Sequence, residues 1–114
     1  MNIQQTDQEG VAIIEPSGRI DTTTSGTLEE VLRRTVDAGA RRLIVDLAAV
    51  EYISSAGLRV FLVVAKRMRD LHGRLILCGM PEPVAQVFRL AGFMALFQVE
   101  GSRQSAVARM SNAA

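Results

Sequence analysis

Ser54 and Ser55 form a pair of adjacent hydroxyls directly ahead of Ala56-Gly57-Leu58, where an apolar stretch of helical spacing begins. At a helix start the first backbone N–H groups lack intrahelical partners and the macrodipole presents its positive end, so such a place accepts an anion. A phosphoryl group transferred to either serine is electrostatically welcome to that helix. To a partner docked on the same spot it presents about −1.5 to −2 new charges and a polar bulk. Gly57 would let another molecule approach closely. The alternative is structural: serine is among the best N-cap residues, and both hydroxyls can serve the helix end alone. Catalytic chemistry lacks its parts, because there is no Gly-x-Ser-x-Gly, no glycine-rich phosphate loop and no histidine near Ser55 in sequence. No enzymatic activity and no catalytic residue are expected, and His72 would serve as a base only through a tertiary coincidence.

The 114 residues, 48% hydrophobic and 22% charged, suit one soluble domain around one core. Lysine and arginine total 13 against 12 acids, and the basic residues are scattered in pairs such as Arg33-Arg34 and Arg41-Arg42. Phe61, Phe88, Phe93 and Phe97 lie in apolar settings, so neither a basic patch nor stacking aromatics recommend a nucleic-acid surface. Cys78 and His72 are each the sole residue of their type, which rules out an internal disulfide and leaves no metal-ligand cluster; no metal or cofactor is expected. Met1 to Thr6 carries no basic leader or apolar signal core, and no apolar run approaches the ~20 residues of a membrane span. The expectation is a cytoplasmic protein without membrane insertion.

The elements that must position the two serines follow from period and punctuation. Ile3–Thr6 and Val11–Glu15 read as an N-terminal hairpin, the second strand ended by the turn signals Pro16-Ser17-Gly18. The hydroxyls of Thr22 to Ser25 are candidate caps for a helix whose stripe is Leu28, Val31, Leu32, Thr35 and Val36, with Glu29 and Glu30 early and Gly39 as its stop. Leu43–Leu47 reads as a strand covered on both faces. Ser54-Ser55 opens a helix to about Leu71, closed by His72-Gly73. Leu75–Cys78 is another buried strand, Pro81–Leu90 a helix, Leu96–Val99 a short strand, and Ser102–Met110 a last helix with Val107 and Met110 as its apolar contacts. The fold class is α/β: a single domain over 1–114 with a mostly parallel central sheet, an antiparallel N-terminal hairpin and about four flanking helices, frayed at about 1–2 and 111–114. The expected interior joins Leu28, Leu32, Leu43, Val45, Leu58, Phe61, Leu62, Ala65, Leu75 and Leu77. With Leu58, Phe61, Leu62, Ala65 and Met68 turned inward, Ala56, Val60, Val63 and Arg67 form an outward stripe available to a partner.

Four stretches, in order and spanning nearly the whole chain, resemble the STAS family of sulfate transporters and anti-sigma factor antagonists, specifically its small stand-alone bacterial members. They are Gly18-Arg19-Ile20-Asp21; Leu43-Ile44-Val45-Asp46-Leu47 with Val50; Tyr52-Ile53-Ser54-Ser55-Ala56-Gly57-Leu58; and Val87-Phe88-Arg89-Leu90-Ala91-Gly92-Phe93 with Leu96-Phe97. The resemblance implies a STAS-type fold and a partner-switching protein of transcription regulation. Its unmodified form would bind an anti-sigma factor that is also a histidine-kinase-like serine kinase. Phosphorylation would release it, and a PP2C-type phosphatase would restore it.

The family's Asp-Ser-Ala-Gly motif falls on Ser54-Ser55-Ala56-Gly57, which makes Ser55 the implied acceptor. Ser54 stands where the motif has aspartate and is the second choice. Asp21 matches a family acid implied to contact the kinase, with capping of the Thr22–Thr24 turn as the structural alternative. The partner surface then comprises Asp21, Ser54, Ala56, Gly57, Val60 and Val63. Asp46 reads as structural, Cys78 as a small buried apolar residue and His72 as a surface helix end. A second functional reading lies within the same family: a STAS subunit of a transporter assembly of the lipid-transport ATPase type, acting by packing without phosphorylation.

Overall fold

The computed structural model describes residues 1–111. Along them run β1 (Asn2–Gln8), β2 (Val11–Ile20), α1 (Ser25–Asp37), β3 (Arg42–Asp46), β4 (Val50–Ile53), α2 (Ser55–Asp70), β5 (Arg74–Cys78), α3 (Glu82–Leu90), a 3₁₀ turn (Met94–Leu96), β6 (Gln98–Glu100) and α4 (Arg103–Ser111). The anticipated frayed tail lies, from residue 112 on, outside the described residues, whereas Ser111 ends α4 and Asn2 opens β1 opposite Ser17. Among the described residues no helix is long and apolar enough to cross a membrane.

The strands form one six-stranded sheet in the order β1-β2-β3-β5-β6, with β4 also paired to β2. Only β1 and β2 are antiparallel; every other pairing is parallel. This is the expected α/β architecture with one correction at β2. Pro16-Ser17-Gly18 does not end that strand, which continues to Ile20. The strand pairs β3 through Ala12–Ile14 and then β4 through Gly18–Ile20, with a register shift between Gly18 and Arg19. Pro16 falls between these two partners, where that edge has no ladder bond for a missing N–H to break. Strand β4 itself went unread: Val50 and Ile53 are buried and Glu51 and Tyr52 exposed, so four residues show no alternation to detect.

Side chains alternate across the sheet and build two apolar layers. Ile14, Leu43, Val45 and Leu77 face the main core with α1, α2 and α3, while Val11, Ile13, Ile44, Ile76 and Cys78 face α4. That two-sided burial explains the unbroken apolar run Leu43–Leu47. In α1 the stripe Leu28, Leu32 and Val36 is buried, and the chain turns at Gly39 with φ 109°. In α2 the buried arc is Gly57, Leu58, Val60, Phe61, Val64 and Met68. At about 100° per residue this arc is centred roughly 60° from the expected one. The cause is α1, which packs beside α2 and covers Val60 and Val64. Leu62 and Ala65, expected inside, are half-buried, as is Leu75, and Val63 remains 48% exposed.

Phe61 is fully buried, its ring 6.3 Å from that of Phe88, which meets Phe97 edge-on at 5.7 Å. Phe61→Ala should therefore cost about 3–5 kcal/mol of unfolding free energy, and Leu62→Ala less than about 2 kcal/mol. Urea denaturation of the two variants checks this; equal costs would contradict the observed phase of α2.

Candidate functional site at the start of helix α2

Parallel pairing of β2 with β4 brings two distant pieces of sequence to one end of the sheet. Ile20 lies opposite Ile53, and the Ser54 backbone N–H donates to the Ile20 carbonyl at 2.8 Å, so Asp21 and Ser54 leave the sheet side by side. Ser54 is extended (φ −95°, ψ 174°) and is the N-cap of α2. Its Oγ accepts from the Gly57 N–H at 3.4 Å, and its carbonyl accepts from the Leu58 N–H at 3.0 Å. Ser55 is the first helical residue, exposed, and its hydroxyl has no hydrogen-bond partner among the described residues. The two serines thus divide the roles that the sequence left open: Ser54 caps the helix and Ser55 presents a hydroxyl to solvent beside the helix's positive end.

Gly57 does something other than admit a partner. It is buried, and a Cβ built there would lie 2.6 Å from Ile20 Cγ2 and 2.7 Å from Ile53 Cγ1. Its bare Cα lets α2 begin against the ends of β2 and β4, so Gly57 belongs to internal packing and not to a contact surface. Val60 is likewise corrected: at 4% exposure it offers a partner almost nothing. Ala56, Arg59 and Val63 of α2 instead line a groove of about 440 Å³ with Ser25, Gly26 and Glu29 of α1, with Val60 in its wall.

Asp21 organises the turn ahead of α1. Its Oδ1 accepts from the Thr23 N–H at 3.0 Å and the Thr23 hydroxyl at 2.7 Å, and its own N–H donates to Thr24 Oγ1 at 2.9 Å. Thr24 is the N-cap of α1 by position, yet its hydroxyl donates to the Arg19 carbonyl at 2.7 Å and caps no helical N–H. The threonine cluster therefore serves the Asp21 turn, the structural role expected of that acid. The Thr23 hydroxyl, followed by the Thr23 N–H, holds the Asp21 carboxyl below its ordinary value of 3.8.

Sequence reasoning gave no role to Arg19 or Tyr52, which face each other across β2 and β4. The Arg19 guanidinium lies 4.3 Å from the centre of the exposed Tyr52 ring, and its Nε is 3.7 Å from Asp21 Oδ2. Register was the missing signal, since nothing local pairs residue 19 with residue 52. His72 follows the opposite end of α2, about 24 Å away at 1.5 Å per residue, and is exposed with φ 59°. It cannot act as a base for Ser55 in this arrangement. Cys78 is buried, and burial above all pushes its thiol up to about 12.

The family model of the STAS domain matches residues 2–106. BtrV of Bordetella bronchiseptica, described as a candidate anti-sigma factor antagonist, is 41% identical over 105 residues, which cover 92% of this chain and 90% of BtrV. Among solved structures, an anti-sigma factor antagonist from Mycobacterium paratuberculosis superposes with a TM-score of 0.90 at 22% identity, over 97% of this chain and 94% of that one. The anti-sigma factor antagonist SpoIIAA in its unphosphorylated form gives 0.83 at 17% identity, over 99% of both chains. Its phosphorylated form gives 0.73 at 17% identity, over 96% of this chain and 99% of that one. At these identities the superpositions establish a shared fold.

The different work of neighbouring residues is measurable. Gly57→Ala should cost about 1–3 kcal/mol through the clash with Ile20 and Ile53. Ser54→Ala should cost about 0.5–2 kcal/mol through the lost cap, and Ser55→Ala no more than about 0.5 kcal/mol. Chemical denaturation ranks them; a Ser55 cost matching that of Ser54 would contradict the assignment of the cap. Because the Asp21 carboxyl is held low in the fold, its contribution to stability is present above its ordinary 3.8 and fades as pH falls through the lower folded value. The Thr23 amide resonance should accordingly titrate below pH 3.8, and Asp21→Asn should abolish that titration.

Proposed function

Because this chain belongs to the STAS domain family, we propose that it is an anti-sigma factor antagonist that works by partner switching. The unphosphorylated protein binds an anti-sigma factor that is also a serine kinase of the histidine-kinase-like type. That kinase transfers the γ-phosphoryl group of ATP to Ser55, the phosphorylated product lets go, and the freed anti-sigma factor captures its sigma factor. A PP2C-type phosphatase in the same cytoplasm returns the protein to its binding form. The observation that carries this reading is the separation of the serines: Ser54 Oγ is committed to the Gly57 N–H, while Ser55 is exposed with an uncommitted hydroxyl.

The departure from the family's Asp-Ser-Ala-Gly pattern has a physical account. Aspartate and serine are interchangeable as N-caps, so Ser54 keeps the cap while removing one negative charge from beside the acceptor. A phosphate on Ser55 costs the free domain little, because the α2 N-terminus offers N–H donors and a favourable dipole worth about 0.3–1 kcal/mol. In a complex the balance reverses. The groove beside Ser55, walled by Ala56, Arg59 and Val63, is the docking surface in this reading, and Asp21 flanks it. A phosphate buried there without a cationic match loses its hydration with no return. Unmatched charge at an interface costs several kcal/mol, and each ~1.4 kcal/mol is tenfold in affinity. The relatives named above are described as anti-sigma factor antagonists, which does not favour the transporter-subunit reading.

Pull-down of the kinase from a bacterial lysate, followed by incubation with ATP and phosphopeptide mass spectrometry, tests the proposal. The expected label is on Ser55. Label on Ser54 alone would move the site, and label on neither serine would remove the switch. Ser55→Ala should bind the kinase constitutively and Ser55→Glu at least about tenfold more weakly. Val63→Glu should also weaken binding while leaving the urea midpoint unchanged, and undiminished affinity in that variant would take the groove out of the interface.

A further inference from the structure

Among the described residues helix α4 alone covers the second face of the sheet, yet it contributes few apolar contacts. Its buried side chains are Ala106, Val107 and Met110, set against Val11, Ile13, Ile44, Ile76 and Cys78. By contrast α1, α2 and α3 share the main core with ten fully or nearly fully buried apolar side chains: Leu28, Leu32 and Val36; Leu58, Val60, Phe61, Val64 and Met68; Val84 and Phe88. What pins α4 is polar and sits at its first residue. Arg103 Nε donates to Asp46 Oδ2 at 2.8 Å, and Arg103 Nη2 lies 3.0 Å from Glu15 Oε1. One guanidinium thus ties the helix to the end of β3 and to β2 at once. The remaining ties are surface contacts: Arg109 to Glu100 at 3.3 Å, and the Arg109 carbonyl to Arg74 at 3.3 Å.

We infer that α4 is a latched flap that docks and undocks as a unit while the rest of the fold stays intact, with the Arg103 fork on Asp46 and Glu15 as its latch. The carboxylate of Asp46 explains why the motion is permitted. Asp46 is 6% exposed and accepts from the Ala48 N–H at 3.0 Å, a bond in which α4 takes no part. When the flap lifts, water replaces Arg103 around Asp46, so no charge is stranded. If Arg103 is removed while the helix stays down, the carboxylate is left buried without its cation, and undocking is the relief. A helix held by three buried side chains opens at far lower free energy than the central strands. The open state bares Ile13, Ile44 and Ile76, an apolar sheet face on the side opposite the α2 site, together with the thiol of Cys78.

That thiol, the only one in the chain, reports on the flap in the full-length protein. Labelling with a small disulfide reagent across low urea should rise with urea much less steeply than global unfolding, because the opening exposes only one face of the sheet and its helix. Backbone amides of α4 should exchange hydrogen ahead of those in β3 and β5. Arg103→Met should label at least about tenfold faster, since the unpaired Asp46 favours the open state, and its labelling should keep a urea dependence much shallower than that of global unfolding. The double variant Arg103→Met with Asp46→Asn, which removes the stranded charge, should label more slowly than Arg103→Met alone. Labelling that climbs with urea along the full unfolding slope in the unmodified protein would overturn the inference, and that measurement needs no variant. So would an Arg103→Met rate equal to that of the unmodified protein.

Discussion

The start of α2 is held against the ends of β2 and β4 at a distance that leaves no room for a side chain. A Cβ at position 57 would stand within 2.7 Å of both Ile20 and Ile53, so any larger residue there begins the helix only by pushing those two side chains aside. From that contact the rest of the site follows. Ser54 must leave the sheet extended, with its N–H on the Ile20 carbonyl, and cap the helix. Ser55 must then be the first residue of the helix, turned to solvent where the macrodipole is most positive.

The sheet reaches this junction by a change of partner. Strand β2 runs beside β3 for its first half and beside β4 for its last three residues, and a proline occupies the interval. This hand-over places Arg19 on Tyr52 and sets Asp21, with its threonine turn, next to the start of α2. The acid is held ionised by hydroxyl and amide donors and lies 3.7 Å from the Arg19 guanidinium, so the rim of the site carries an ion pair beside the exposed Ser55 hydroxyl. A partner that approaches the groove meets that ion pair and the guanidinium of Arg59, and phosphorylation would bring new negative charge to the same place.

The two faces of the sheet differ in kind. The face under α1, α2 and α3 holds the large side chains, Phe61 and Phe88 among them, and backs the start of α2. The face under α4 is thinner, and its cover depends on a guanidinium bridging two carboxylates. Such a bridge stabilises the docked helix only while its geometry is complete, because the buried carboxylate costs free energy whenever its partner leaves without water taking its place. A fold can therefore combine one densely packed face with one that is lightly held.

Much of this was legible in the residues themselves. The apolar run Leu43–Leu47 announced a strand buried on both faces, Gly39 marked a helix end, and Ser54-Ser55 before an amphipathic stretch marked the start of α2. All of these are dictated within a few residues by backbone hydrogen bonding and side-chain period. The phase of α2 was not legible, because α1 decides which arc is covered, and so Val60 and Val64 are inside while Leu62 sits at the edge. Nor were β4, the internal role of Gly57, or the tie between Arg103 and Asp46. Those depend on which strands meet and in what register, and the groups concerned lie far apart along the chain: local sequence determines what each segment can form, and only long-range packing selects which of its faces meets another.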